Sequence, residues 1–438
     1  MLNAAIKTSL DDLNPCLLDA VAYRKEVDFK TGRVWTWFQS FLARKQIPNA
    51  TNLTLSYGLC QSALLGIVVE RFNQVAKPKA QKYNISFNDR GYGPKVTFTS
   101  PVWYDAKSKA SKKLQSCSDE KATIVEVFVE ITNKFHSPPV PLTTMELEKF
   151  AAKYFKMTPK QTMDTAEDLY TQRFISYPRT ETDGFSMNTK ELRSIVSKQT
   201  KHEKWGSYAS DLLDSNKGLW RDPRACKHTD HSHPPIHPIK FSNRKESGWK
   251  DHQCVLYELI VRHFLACLSE DALVQKTTVE VDLAGQQFFA MTMTLYKLGY
   301  RKMYHYESLF LGFSKFPPYT AGGELTPMDL IVKGSTYSSP QNLSDEDLLS
   351  RMQQERIGTD STWHLLINTV IGRKYVERKF DGNTWRYEPT KLGLALFNGY
   401  DQMKLPLWKP EMRAKMEKQI TMIKNGTATK KDCLRDTG

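Results

Sequence analysis

Cysteine is scarce in this chain, and what there is stands apart. Seven Cys occupy positions 16, 60, 117, 226, 254, 267 and 433 of 438 residues, an odd number with no Cys-x-x-Cys pair. That spacing argues against a disulfide framework and a zinc ribbon, and it suits a reducing compartment. No apolar run approaches the ~18 residues needed to span a bilayer. The N-terminus also lacks the apolar core of a signal peptide. The expectation is a soluble intracellular protein with no membrane partner. No Gly-x4-Gly-Lys-Ser/Thr occurs, so no phosphate-cradling nucleotide loop is legible and no ATP is expected. There is no internal repeat and no low-complexity tract. The one Asp-x-Asp, Asp345-Glu346-Asp347, follows Ser344; that spacing fits a helix start, where carboxylates complement the dipole, better than a metal site.

What is present is an ordinary globular composition, 40% hydrophobic and 25% charged, long enough for two to four domains. The net charge of +14 points to a polyanionic partner. The clusters Lys77, Lys79, Lys82 and Lys107, Lys109, Lys112, Lys113 fit a phosphate track and a solvated face equally well. Residues 1–75 read as helical. Leu13 to Leu42 carries apolar positions at three- and four-residue spacing after Asp11 and Asp12, and Ala63 to Val69 is apolar. Val96 to Thr99 and Thr123 to Glu130 alternate or are β-branched, so they read as strands. Pro138, Pro139 and Pro141 close that segment. Thr144 to Phe155 returns to helix. Thr158-Pro159-Lys160-Gln161 opens another with a capping-box spacing, whose buried face is Met163, Ala166 and Tyr170. Residues 254–268 form a further helix, Thr277–Leu283 and Gln287–Leu295 a hairpin, and 344–352, 361–371 and 411–423 three late helices. The fold class is mixed α and β, multidomain. Strand-rich segments interrupted by a helical insertion predict that the first and last helical blocks pack together.

The helix that ends in Leu169-Tyr170 delivers the chain into Phe174-Ile175-Ser176-Tyr177-Pro178-Arg179-Thr180-Glu181-Thr182-Asp183. A tyrosine oxygen is a competent nucleophile towards a phosphodiester, and a guanidinium stabilises the spread charge of the transition state. In extended backbone, positions i and i+2 share a face, which would converge Tyr177 and Arg179 on one phosphate. Taken alone, Tyr-Pro-Arg-Thr fits a buried tyrosine before a turn proline better than a nucleophile. A second constellation, Asp230-His231-Ser232-His233-Pro234-Pro235-Ile236-His237-Pro238, offers His-x-His-x3-His to a metal, or is a proline loop with incidental histidines.

The two segments together resemble the type IA DNA topoisomerases, in particular their eukaryotic topoisomerase III alpha branch. The family signature is a helix ending in Leu-Tyr, a short turn and Ile-Ser-Tyr-Pro-Arg-Thr-Glu-Thr, with a separate His-Pro-Pro-Ile-His-Pro stretch. Further matches are Ser56-Tyr57-Gly58-x-Cys60-Gln61, Leu65-Gly66-x-Val68-Val69-Glu70-Arg71-Phe72, Arg24 with Asp28 and Gly32, Arg356-Ile357-Gly358-Thr359-Asp360-Ser361-Thr362, Arg373-x-Tyr375, Glu388 to Gly393 and Lys409 to Arg413. The family has Gly at Arg356, His at Trp363 and Arg at Trp37, whose indole can still stack on a base. The agreement runs from about Leu13 to the C-terminus.

The resemblance implies a β-rich arch with helical, winged-helix-like domains closing a toroid, divided as a helical base of 1–75 and 326–438, an arch of 76–143 and 275–325, and a helical domain of 144–274 with the catalytic Tyr. It implies an ATP-independent topoisomerase of type I, an isomerase that cleaves and rejoins one DNA strand through a 5′-phosphotyrosine. Tyr177, Arg179 and His233 would be catalytic. Arg24, Gln61, Thr180, Thr182, Asp230, His237 and Arg373 would touch single-stranded DNA. It also implies a nuclear place in recombination and repair, beside a RecQ-type helicase and an OB-fold cofactor. The family's Mg²⁺ is held by a preceding Toprim domain with a glutamate, a lysine and paired acids, and no such ligands are legible here. A truncated gene product is therefore expected. The alternative is a catalytically impaired single-strand-binding clamp or assembly subunit.

Overall fold

A computed structural model describes residues 14–46, 52–76, 81–89, 95–118, 120–133, 137–224, 228–229, 232–243, 248–306, 316–336, 340–358 and 362–436. Helices α1 (Pro15–Gln46) and α2 (Leu59–Ala76) lead into strands β1 (Gln81–Asp89) and β2 (Val96–Thr99), helix α3 (Lys107–Gln115) and strand β3 (Ala122–Thr132). A helical stretch follows: α4 (Thr144–Phe155), α5 (Pro159–Thr171), α6 (Thr189–Lys198), α7 (Gly206–Leu213) and α8 (Asp251–Cys267). Strands β4 (Leu273–Leu283), β5 (Gln286–Lys297), β6 (Glu324–Leu325) and β7 (Met328–Thr336) come next. Helices α9 (Asp345–Gln354) and α10 (Trp363–Gly372), strands β8 (Val376–Phe380) and β9 (Trp385–Pro389), and helices α11 (Lys391–Gln402), α12 (Pro410–Lys424) and α13 (Lys430–Arg435) complete the chain. The class is mixed α and β, as expected.

The chain forms two compact units. One takes the described parts of Met1–Ala76, Glu148–Gln161 and Gln341–Gly438; the other takes those of Lys77–Leu147 and Thr162–Pro340. In the first, the opening and closing helical blocks do pack together. Ala20, Tyr23 and Val27 of α1 share a core with Tyr400, Leu407, Met416 and Ile423, and the buried Tyr23 hydroxyl donates to Gln419 at 2.6 Å. Helix α1 starts at Asn14, whose side chain accepts the Cys16 amide, with Pro15 at the first helical position; Asp11 and Asp12 lie outside the described residues. The Ser344 hydroxyl and the Asp347 carboxylate close a capping box at α9, so the acidic cluster does serve a helix start. Asp345 meanwhile is buried against Arg378 and Tyr387.

The resemblance puts a glycine where Arg356 stands, and the backbone shows why glycine would fit. Its φ is 54°, and the amides of Arg356 and Ile357 bond back to the carbonyls of Gln353 and Met352. This is a Schellman closure of α9, whose left-handed residue favours glycine.

In the second unit a seven-stranded sheet runs β6-β3-β4-β5-β2-β1-β7, with every pairing antiparallel. Its core holds Ile85, Phe87, Phe98, Val279, Val281 and Phe288. The predicted β4–β5 hairpin is present, closed by Ala284 and Gly285 with φ of 54° and 70°. Strand β7 pairs with β1, for example Val332 with Ile85; the sheet therefore extends past the 325/326 boundary drawn from sequence. Strand β1 has no clean alternation because Asn84, Ser86 and Asn88 are buried along with Ile85 and Phe87. Asn88 is satisfied by Asp329 and Thr97.

Candidate active site

Helix α5 aims the candidate nucleophile. The Thr158 hydroxyl accepts the Gln161 amide at 3.1 Å, and Met163 and Ala166 are fully buried as expected. Tyr170 is not; it is 42% exposed, and Leu169 takes the buried place. The helix stops at Arg173, φ 63°, where the amides of Arg173 and Phe174 bond to the carbonyls of Tyr170 and Leu169. That Schellman closure turns the chain sharply. Phe174 anchors the new direction on Trp249, ring centroids 4.6 Å apart.

From here the loop is stapled to two other segments. Ser176 bonds to the His-Pro stretch three ways: its amide donates to the His237 carbonyl, its hydroxyl donates to the Pro235 carbonyl, and that hydroxyl accepts the His237 amide. Thr144, at the start of α4 and fully buried, accepts the Thr180 amide at 2.8 Å and donates to the Pro178 carbonyl at 2.7 Å. The Thr180 hydroxyl donates to the His233 carbonyl. Thr180 is thus a buried member of the frame, placed to hold the loop rather than to face DNA. Thr182 is buried too, and it lines the cleft described next.

Tyr170, Tyr177, Thr182, Phe185, His233 and His237 line a cleft of about 750 Å³. The half-buried Tyr177 ring lies between Tyr170, edge-on at 5.2 Å, and the exposed His233 imidazole at 4.5 Å. His237 is buried, with Nδ1 on the Pro235 carbonyl at 2.7 Å, a contact that requires the proton on that nitrogen. Burial holds its pKa below the ordinary histidine value, so the ring is neutral and Nε2 is left as an acceptor. Asp230 and His231 lie outside the described residues.

Arg179 does not join Tyr177 on the cleft wall. Its Nε donates to Glu167 Oε1 at 2.8 Å, and Nη2 donates to the same oxygen. The expected convergence assumed extended backbone, but the loop bends at Ser176 and Pro178, so i and i+2 need not share a face.

The remaining predicted contacts fall in the first unit. Gln61 and Arg373 meet, Arg373 donating to the Gln61 side-chain carbonyl. Arg373 also lines a groove of about 600 Å³ with Phe29, Arg33, Trp37, Phe41 and Arg44. Arg24 is outside that lining and pairs with Asp28 at 3.8 Å. Trp37 and Phe41 stack at 5.5 Å, with Phe29, Trp37 and Phe41 exposed by 66%, 66% and 49%. Aromatic faces beside guanidinium groups are what single strands stack and slide against. The sequence carried the signal: Phe29, Arg33, Trp37 and Phe41 recur every four residues, one stripe of a helix. Of this stripe, the sequence reading picks out only Trp37, as an indole able to stack on a base.

A buried histidine steadies the approach to Thr144. On α8, His263 Nε2 faces the Val140 carbonyl at 2.8 Å, and Nδ1 faces the Tyr304 hydroxyl at 3.2 Å. Burial pushes its pKa down to about 4, against ~6.5 in an unfolded chain. On acidification the unfolded chain takes up the proton first, so stability is full above pH ~6.5 and falls towards pH ~4. We expect about 2 kcal/mol of that loss by pH 5, measurable as a lowered urea midpoint and reduced in His263→Gln.

All the cysteines among the described residues are free. Among those residues no three His, Cys, Asp or Glu side chains gather as metal ligands, and no helix is long and apolar enough to cross a membrane.

A protein family described as DNA topoisomerase matches residues 12–435. DNA topoisomerase 3-alpha of Arabidopsis thaliana is 39% identical over 437 residues, 97% of this chain and 46% of that protein. DNA topoisomerase 3 of Schizosaccharomyces pombe is 36% identical, covering 95% of this chain and 67% of its own length. DNA topoisomerase 3-alpha of Homo sapiens is 34% identical, covering 98% and 42%. The chain thus spans about half the length of the plant and human relatives. The solved full-length topoisomerase I of Thermotoga maritima shares the fold, with a TM-score of 0.73 at 20% identity over 96% of this chain and 67% of that one. The chain belongs to the type IA DNA topoisomerase family.

Proposed function

We propose that this chain carries the strand-cleaving half of an ATP-independent type IA DNA topoisomerase, with Tyr177 as nucleophile. The carrying observation is the Tyr177 ring in an open cleft, packed on the His233 imidazole, in a chain of this family. Tyr177 Oη attacks the phosphorus of one strand, and the P–O3′ bond breaks. The 5′ side stays on the protein as a phosphotyrosine. The phenolic proton lost is matched by one gained at the leaving 3′ oxygen, and His233, against the reacting ring, is positioned to assist that exchange. Arg179 supplies a guanidinium to the spread phosphoryl charge. The bond energy is conserved in the phosphotyrosine, so attack by the 3′ hydroxyl rejoins the strand without ATP. The groove of Trp37, Phe41, Arg33 and Arg373 takes the strand by stacking and charge, with Gln61 and Arg24 beside it, and Thr182 and His237 meet it at the cleft.

Mg²⁺ is proposed on family grounds; the described residues offer no ligand cluster and do not by themselves fit the ion. Nuclear location, work in recombination and repair, and partnership with a RecQ-type helicase and an OB-fold cofactor rest on the resemblance to topoisomerase III alpha. Co-purification of such a helicase with the tagged chain tests that part.

The test of the chemistry is a covalent adduct. End-labelled single-stranded DNA incubated with the chain should yield a denaturant-resistant protein–DNA band that is absent in Tyr177→Phe. Salt-sensitive binding without any band would instead favour a non-catalytic clamp.

A further inference from the structure

Glu167 projects from α5 ten residues ahead of Tyr177, and nothing in its local sequence requires a carboxylate. Its Oε1 takes two donors from one edge of the Arg179 guanidinium. We propose that this ion pair is a latch: Glu167 holds Arg179 off the cleft until a DNA backbone phosphate competes for the same guanidinium edge. Glu167 is then a positioning residue that sets how readily Arg179 reaches the strand. The inference rests on reading the cleft as a DNA-cleavage site.

Three observations support it. A guanidinium edge fits a carboxylate and a phosphate in the same forked geometry, and one edge serves one at a time. The pair is open to water, with 23% of the Arg179 and 43% of the Glu167 side chain exposed; ion pairs this accessible are weak, so a phosphate can displace the carboxylate. The backbone flanking Arg179 is fixed, because the Pro178 carbonyl and the Thr180 amide both bond to Thr144. Rotation of the Arg179 side chain away from Glu167 therefore leaves the backbone beside Tyr177 in place.

The test measures binding of a fluorescent 20-nucleotide oligo-dT to the full chain across a salt series. Glu167→Gln should bind about three- to tenfold tighter than wild type at low salt. Arg179→Ala should bind more weakly, with a log–log salt slope shallower by about one. The double variant should match Arg179→Ala, because without the arginine there is nothing to release. A merely structural Glu167 would not tighten binding. Unchanged or weaker binding by Glu167→Gln, with an unfolding midpoint equal to wild type, overturns the latch. So does an equal gain in the Arg179→Ala background, which would mean simple removal of a repelling charge. Glu167→Ala, which offers the arginine no acceptor, should tighten binding by a similar factor. If wild type fails to bind the oligonucleotide, the reading of the site falls and the latch with it.

Discussion

Thr144→Val is expected to cost about 3 kcal/mol of stability and to free the loop that carries Tyr177. The side chain keeps its shape and loses only the hydroxyl. That hydroxyl is fully buried and serves three main-chain groups of the loop, accepting the Thr180 amide and donating to the Pro178 carbonyl and, at 3.2 Å, to the Thr180 carbonyl. Thr180 is itself 2% exposed, so water has no easy route to the orphaned amide. A buried group left without its partner costs about 1–3 kcal/mol, and here there are two. The Thr180 carbonyl keeps the Thr144 amide, which is why the loop loosens without detaching. The two losses flank Arg179 and begin one residue after Tyr177. A reacting atom displaced by about 1 Å can lose ~10²-fold in rate, so adduct yield should fall further than stability alone explains. Urea unfolding and amide exchange at Thr180 are the measurements, and Thr144→Ser should restore both. A midpoint equal to wild type would mean that the hydroxyl is dispensable.

Much of the architecture was legible where local rules and tertiary packing agree. Helices α4 and α5 were readable because Thr158-Pro159 stops one and starts the next, and the β4–β5 hairpin because its apolar positions alternate on a half-buried face. The tyrosine and histidine segments were both singled out, and the fold brings them into bonded contact through Ser176 and Thr180. What escaped the sequence depends on three-dimensional partners. Thr180 reads as a contact to DNA until its hydroxyl is seen on the His233 carbonyl. Arg179 reads as a phosphate ligand, and its carboxylate partner lies twelve residues back across a helix end. Thr144 gave no signal, because a threonine at a helix start looks like an ordinary cap. Strand β1 was missed for its buried asparagines. Strands β8 and β9 were missed because Glu377, Arg378 and Lys379 are charged and the pair is only five residues long.

Gly66→Ala should destabilise the first unit, although alanine is the better helix former. Gly66 sits inside α2 among Leu64, Leu65, Ile67, Val68 and Val69, none more than 3% exposed. A Cβ there would stand 2.4 Å from the Trp408 carbonyl oxygen and 2.9 Å from the Trp408 ring. The carbonyl is main chain and cannot rotate away, and the ring is braced on Phe397 at 4.5 Å. Either α2 shifts or the 405–409 segment does. Overpacking of a rigid contact costs about 3 kcal/mol or more, against a propensity gain of about 1 kcal/mol. For a unit of this size the net loss lowers the unfolding midpoint by roughly 4–10 °C. Since α2 also carries Gln61, whose amide holds Arg373 at the groove, oligonucleotide binding should weaken with it. Gly399→Ala supplies the contrast. It too lies inside a helix, α11, but nothing stands within 4 Å of its Cβ position, so the same substitution there should stabilise by up to about 1 kcal/mol. If both variants moved the midpoint in the same direction, close approach of Trp408 would not be what keeps residue 66 a glycine.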